Sequence, residues 1–185
     1  MTHQVELITP RLILKSVTPR LIHKQFETKT AEEIKQFFGA NEKEYERLES
    51  MHKQGMETHR YSLFYFQLHD KTDNRVIGEC GFHTLNRTHQ RAELFYILKN
   101  DADKQQGIMK EALGPVLDYA FADMALHRVE ALVADWNTAS VRLLERYGFT
   151  KEGTMREDYV VNDKHENSDC YSLLKWEWER NKKTS

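Results

Sequence analysis

The feature that most constrains the fold is a change of hydrophobic period near residue 100. Before it, "YSLFYFQL" (61–68), "RVIGECGFHTL" (75–85) and "RAELFYIL" (91–98) are short apolar and aromatic runs, separated by the turn-rich "KTDN" and "NRTHQ". Runs of this kind predict three successive strands of an antiparallel meander, the first buried on both faces. After it, Ile108, Ala112, Val116, Ala120 and Met124 recur every fourth residue, and Met109, Leu113, Leu117 and Phe121 repeat one place over. Together they form a wide helical stripe. Gly114-Pro115 lies inside the stripe, and an interior proline removes a helix hydrogen bond. The stripe continues past it, so the spacing predicts one kinked helix and not two.

The flanking segments complete the pattern. "LITPRLILKSV" (7–17) reads as a first strand, with Pro10 marking an irregular start or an edge. Residues 19–54 are polar and helix-prone, and Thr30 with Glu33 has capping-box spacing. "HRVEALVADW" (127–136) reads as a strand, and "NTASVRLLERYGF" as a short helix closed by Gly148. "YVVNDKHENSDCYSLLKWEW" is expected to be a hairpin of two final strands. The chain of 185 residues suits one domain, 1–185, with one mixed sheet covered by helices on both faces.

Composition narrows the function classes. A formal net charge of −2 argues against nucleic acid as the main ligand. No apolar stretch reaches the length of a membrane span, and "MTHQVELITPRL" lacks the apolar core of a signal peptide. The expected location is cytoplasmic, with Cys80 and Cys170 as ordinary thiols. Neither the cysteines nor the nine histidines show metal-ligand spacing, so no metal is expected.

Two stretches carry candidate chemistry. In "KQQGIMKEAL" (104–113), Gly107 stands where a strand feeds a helix, and helix N-terminal N–H groups with the helix dipole attract phosphate. The same glycine also suits an ordinary turn. In "DWNTASVRLLERYGF", Asn137 is either the N-cap of the helix or an amide that recognises a ligand, and Ser140 either caps locally or donates a proton.

Taken in order, "AELFYILKNDADKQQGIMKEAL", "HRVEALVADWNTASVRLLERYGFTKEGTMRE" and "YSLLKWEW" resemble the GNAT acetyltransferase superfamily. Within it they resemble the ribosomal-protein N-terminal acetyltransferase (Rim-type) branch, as does the opening "TPRLILKSVTP". The resemblance covers nearly the whole chain, is strongest over 76–178 and is weak over 19–60. It implies an α/β (α+β) fold: a single mixed, mostly antiparallel sheet of about seven strands, with a bulged, splayed central pair. Residues 91–149 would form the acetyl-CoA-binding core, and 19–60 a helical insert on the acceptor side.

The resemblance also assigns roles. The strand 91–98 would carry a bulge and splay from 128–136, and the pantetheine arm would pair in the gap with backbone groups of Tyr96, Ile97 and Leu98. Lys104, Gln105, Gln106, Gly107, Ile108 and Met109 would hold the pyrophosphate, and Asn137 would contact the pantetheine. Attack of a neutral amine on a thioester needs a base, stabilisation of the oxyanion and help for the leaving thiolate. A backbone N–H near Ile97 or Leu98 would serve the oxyanion, and Ser140 matches the branch's acid. Glu93 matches a carboxylate that acts as base through water, its bland alternative being an ion pair with a basic neighbour; Asp158 is the second choice. His83, Asn86 and Phe95 would border the acceptor pocket, and a surface turn is the competing role for the first two.

Several positions depart from the family pattern. Leu144 stands where many members have a tyrosine acid, Phe95 where glycine is usual, and Asn167 where the branch often has aspartate. Of the loop motif only Gly107 is kept, between Lys104 and Met109. The expected function is transfer of acetyl from acetyl-CoA to a primary amine, either a protein N-terminal α-amine or a small-molecule amine. A non-catalytic acyl-CoA-binding module is the alternative, motivated by Phe95 and Leu144. A nucleotide-phosphate enzyme is disfavoured because no lysine–serine/threonine pair follows Gly107. The expected partners are acetyl-CoA and the amine, without metal, nucleic acid or membrane, in a monomer or homodimer.

Overall fold

The computed structural model describes residues 4–58 and 62–184. Tyr61, the first residue of the predicted strand 61–68, and residues 59–60 of the insert lie outside them. The described chain forms one eight-stranded sheet, in the order β1-β2-β3-β4-β5-β6-β8-β7. The meander is β3 (Ser62–Asp70), β4 (Val76–Asn86) and β5 (Arg91–Leu98), paired antiparallel as the apolar runs imply. Two glycines let these strands approach. A Cβ on Gly81 would lie 2.2 Å from the Tyr65 Cα, and one on Gly78 would lie 2.4 Å from the Ile97 carbonyl oxygen.

Eight strands form where about seven were expected, because 7–17 is two strands. β1 (Glu6–Ile8) folds back antiparallel on β2 (Leu12–Val17), with Pro10 in the turn, where its missing N–H costs no ladder bond. Three helices follow: α1 (Pro19–Thr28), α2 (Ala31–Phe38) and α3 (Glu42–Gln54). The Thr30–Glu33 capping box forms, and Asn41 makes a second one with Glu44. α4 (Ile108–Ala122) runs through Pro115 as a single helix.

β6 (Arg128–Ala134) then enters parallel to β5, and α5 (Thr138–Arg146) ends before Gly148, whose φ of 79° suits a left-handed cap. The closing hairpin is β7 (Thr150–Val161) and β8 (Lys164–Leu174), turning at Asn162-Asp163. The expected final strand ends early, since "KWEW" starts α6 (Lys175–Thr184). The reason is packing: in the helix Trp178 turns back onto Phe121 and donates from its indole N–H to Asp118 at 3.0 Å, while Trp176 stays exposed.

Helices cover both faces. Phe64, Phe66 and Leu68 of β3 join α4, with Leu144 of α5 and Trp178 of α6, in the larger apolar cluster. Tyr65 joins Ile22 of α1, Ile34 and Phe38 of α2 and Leu48 of α3 on the opposite side. Among the described residues no helix is long and apolar enough to cross a membrane.

Candidate active site

The centre of the sheet opens where β5 and β6 part. They pair only over Arg91–Glu93 and Arg128–Glu130, although β5 runs on to Leu98 and β6 to Ala134. The splay expected of this pair is therefore present. The register shift next to it lies on β4, between His83 and Asn86, and not on β5, because Thr84 adopts φ 52° and takes up the extra residue.

Antiparallel pairing decides which β5 groups face the gap. Lys99 N–H donates to the Ile77 carbonyl at 2.9 Å, so Lys99, Ile97 and Phe95 turn their backbone groups toward β4. The backbone groups of Tyr96 and Leu98 then point to the open edge. Of the three residues singled out in the sequence, two reach the gap and Ile97 is committed to the ladder.

The loop at the end of β5 is built for backbone donors. A short 3-10 turn, Asp101–Asp103, is pinned by Arg75, which donates to both Asp103 carboxylate oxygens at 2.9 and 3.1 Å. Gln105 and Gly107 then take left-handed conformations, with φ of 59° and 73°. α1, α2, α3 and α5 begin with a capping side chain, but α4 begins with Gly107 and has none. The first N–H groups of α4 are thus left for a ligand. Ile108 and Met109 are buried in the core and contribute backbone only. Lys104 is exposed and held by Asp101 at 2.6 Å.

Arg11 is a residue the sequence reasoning missed. Its guanidinium donates to the Gln106 carbonyl at 3.0 Å and to Glu111 at 2.6 Å, placing a cation beside the loop from the far end of the chain. No spacing could have revealed it, since about a hundred residues separate it from the loop.

On the α4 face of the gap, the Asn137 side chain accepts from Ser140 N–H at 3.2 Å and caps α5. The Ser140 side chain lies by the Tyr96 phenol; burial raises the phenol's pKa, and Ser140 partly offsets this. Leu144 is fully buried, and Tyr147 donates to the Lys110 carbonyl and packs on Trp178, so neither side chain opens to the gap.

On the α1–α3 face lie Glu93, His83 and Phe95. Glu93 Oε1 is 3.6 Å from His83 Nε2, and the His83 ring stacks on Phe95 at 5.6 Å. Burial raises the Glu93 carboxyl above its ordinary 4.5, His83 opposes this, and Glu130 and Asp158 add to it. The basic neighbours on either side serve other acids: Arg91 binds Glu130 at 2.8 Å, and Arg128 spans Glu130 and Glu152. Asp158, exposed on β7, reaches Glu93 through its charge. Asn167 accepts from Glu157 N–H at 2.8 Å and shapes that stretch of β7. Asn86 is buried and accepts from His89 N–H, a turn role away from the gap.

Beside His83 and Phe95 a cavity of about 330 Å³ runs under α3, with Leu48, Met51 and Leu63 on its apolar wall and Tyr65, Glu79 and Arg47 completing the lining. Glu79 also escaped the sequence reading, which took 75–85 as the second strand of the meander and gave none but His83 of its side chains a role. Among the described residues no group of three His, Cys, Asp or Glu side chains is placed to hold a metal ion.

Comparison with known proteins matches this arrangement to one family. Residues 11–150 match the acetyltransferase (GNAT) domain. The chain is 28% identical over 176 residues to the uncharacterized N-acetyltransferase YoaA of Bacillus subtilis (strain 168), covering 91% of this chain and 96% of that protein. It is 34% identical over 110 residues to a protein of the same organism named "Putative ribosomal N-acetyltransferase YdaF", covering 60% of each, so that match spans about three fifths of that relative. Its fold is similar to that of the spermidine N-acetyltransferase of Vibrio cholerae, solved as a dodecamer, with a TM-score of 0.69, 21% identity, and coverage of 92% and 98% of the two chains.

Proposed function

Because the chain belongs to the GNAT family of acetyl-CoA-dependent N-acetyltransferases, we propose that it acetylates a primary amine delivered to the β5–β6 gap from the α1–α3 face. The acceptor is a protein N-terminal α-amine or a small-molecule amine. The observation that carries this reading is the gap itself, with a free strand edge inside it, hydroxyls on one face and a half-buried carboxylate on the other.

The residues present fit acetyl-CoA. The Tyr96 and Leu98 backbone groups offer strand-like pairing to the amides of the pantetheine arm. The uncapped start of α4, with Arg11 and Lys104 beside it, offers N–H donors and positive charge to a pyrophosphate. Once bound, the thioester supplies the acetyl group.

The protein's own groups then divide the work. Glu93, with a raised pKa and no arginine of its own, accepts the proton of the incoming ammonium, directly or through a water. His83 lies 3.6 Å from Glu93 and stacks on Phe95, which places its ring beside the carboxylate. On the other face the Ser140 hydroxyl, beside Tyr96, donates a hydrogen bond to the departing thiolate, whose reference pKa of about 8.5 lets it leave without full proton transfer from the hydroxyl. An α-amine, with a reference pKa of about 8, demands less of the base than a lysine at about 10.4.

The test is thiol release from acetyl-CoA with an amine panel that includes ribosomal-protein N-terminal peptides, for wild type and Ser140→Ala. Turnover that falls in the variant supports the reading. Tight CoA binding with no turnover in either protein would instead support a non-catalytic acyl-CoA-binding module.

A further inference from the structure

The cavity under α3 ends on a carboxylate that the reaction does not use. Glu79 is buried, with a relative exposure of 7%. It sits on the same face of β4 as Gly81 and His83, and its floor position is opened by Gly81, which has no side chain to fill the space between Tyr65 and Phe95. Burial pushes the Glu79 carboxyl up, with Lys99 and Arg47 opposing. The guanidinium of Arg47 is 3.8 Å away, beyond hydrogen-bond distance, on a side chain that is 62% exposed. A buried carboxylate with so loose a counter-charge is costly unless a cation arrives to complete it.

We propose that Glu79 determines acceptor specificity by binding a second positive charge on the amine substrate. The reacting amine would lie at Glu93 and His83, the linking chain would run along Leu48, Met51 and Leu63, and the distal ammonium would reach Glu79. Four residue steps along β4 lead from Glu79 to His83, roughly 13 Å between Cα atoms. After the side chains reach inward, this span suits an acceptor whose two ammonium groups are separated by an aliphatic spacer of about six carbons. The Tyr65 and Phe95 rings, 5.8 Å apart and tilted, flank the path and favour a cation moving past them. Acceptors with an uncharged tail would leave Glu79 with only its loose contact to Arg47, and an anionic tail would be repelled by it. This inference rests on the acetyltransferase reading above.

The test compares hexylamine with hexane-1,6-diamine, by thiol release from acetyl-CoA and by calorimetric binding to the CoA-bound protein. Wild type is expected to favour the diamine by about 10- to 100-fold, the value of one charged hydrogen bond. Glu79→Gln is expected to bring the ratio close to one. Arg47→Ala, which removes the competing cation beside Glu79, is expected to widen the preference. Equal use of both amines by wild type, a ratio unchanged in Glu79→Gln, or a ratio that shrinks in Arg47→Ala would each overturn the assignment. If no amine releases thiol, the acetyltransferase reading fails, and calorimetry on the CoA complex still decides whether Glu79 selects the diamine.

Discussion

The two faces of the sheet are made by the same strands and differ in kind. Under α4, the alternate residues Phe64, Phe66 and Leu68 of β3, Cys80 and Phe82 of β4, and Ala92 and Leu94 of β5 are all buried and apolar. Under α1–α3, the intervening residues include Tyr65, Gln67 and His69, Glu79 and His83, and Glu93 and Phe95. One face is a packed core that fixes the strands and the start of α4. The other trades apolar burial for carboxylates, imidazoles and a cavity. The lesson is that a single sheet can hold its cofactor-side geometry on one face while leaving the opposite face free to define the acceptor.

The sharpest way to break this contrast is to remove the base. Glu93→Gln is expected to lower kcat/KM by roughly 10²- to 10⁴-fold, the usual contribution of a positioned general base. The pH profile tells whether the loss is chemical. Burial holds Glu93 protonated to higher pH than its ordinary 4.5, so activity should rise with pH through an acid limb displaced above the usual carboxylate range. That limb should vanish in the variant. A variant with wild-type rate and an intact limb would show that the chemistry does not sit on this face.

A second comparison sets one leucine from each face against the other. Leu117, fully buried in the α4 stripe, is expected to cost about 2–5 kcal/mol on truncation to alanine, read by denaturant titration. Leu48 is buried in the smaller cluster but also lines the cavity, so the existing space softens the loss. Leu48→Ala is expected to fall at the low end of that range and to shift the KM for the amine while leaving the KM for acetyl-CoA alone. Equal destabilisation, with both KM values unmoved, would erase the distinction between scaffold and acceptor face.

The same contrast explains what could be read in advance. The α4 face was legible because burial imposes a period, and the stripe from Ile108 to Phe121 forms as one helix with Pro115 inside it. The meander and the Thr30 capping box were legible for the same reason: each is a local pattern with a local cause. The acceptor face was not. Arg47, Glu79 and Phe95 meet only because α3 crosses β4 and β5, and no spacing along the chain announces that. The misplaced features follow suit. The bulge depends on the left-handed Thr84, which nothing in its side chain demands, and "KWEW" becomes helical only because Asp118 and Phe121 wait for Trp178.

Asn137 offers the smallest effect and the finest test, because it has a structural duty that is visible and a ligand duty that is proposed. Its side chain caps α5 through Ser140 N–H, so Asn137→Ala is expected to cost about 1 kcal/mol of stability. Serine is an equally good cap, and Asn137→Ser should restore that loss. A serine hydroxyl committed to the cap has no second polar atom, whereas the amide caps through its oxygen and keeps its NH2 for a ligand, so the KM for acetyl-CoA should stay raised in the serine variant. Thermal melts and acetyl-CoA saturation curves on the two variants separate the duties. If serine rescues both measurements, Asn137 is a cap and nothing more, and cofactor recognition on the α4 side reduces to the backbone of Tyr96 and Leu98 with the loop before α4.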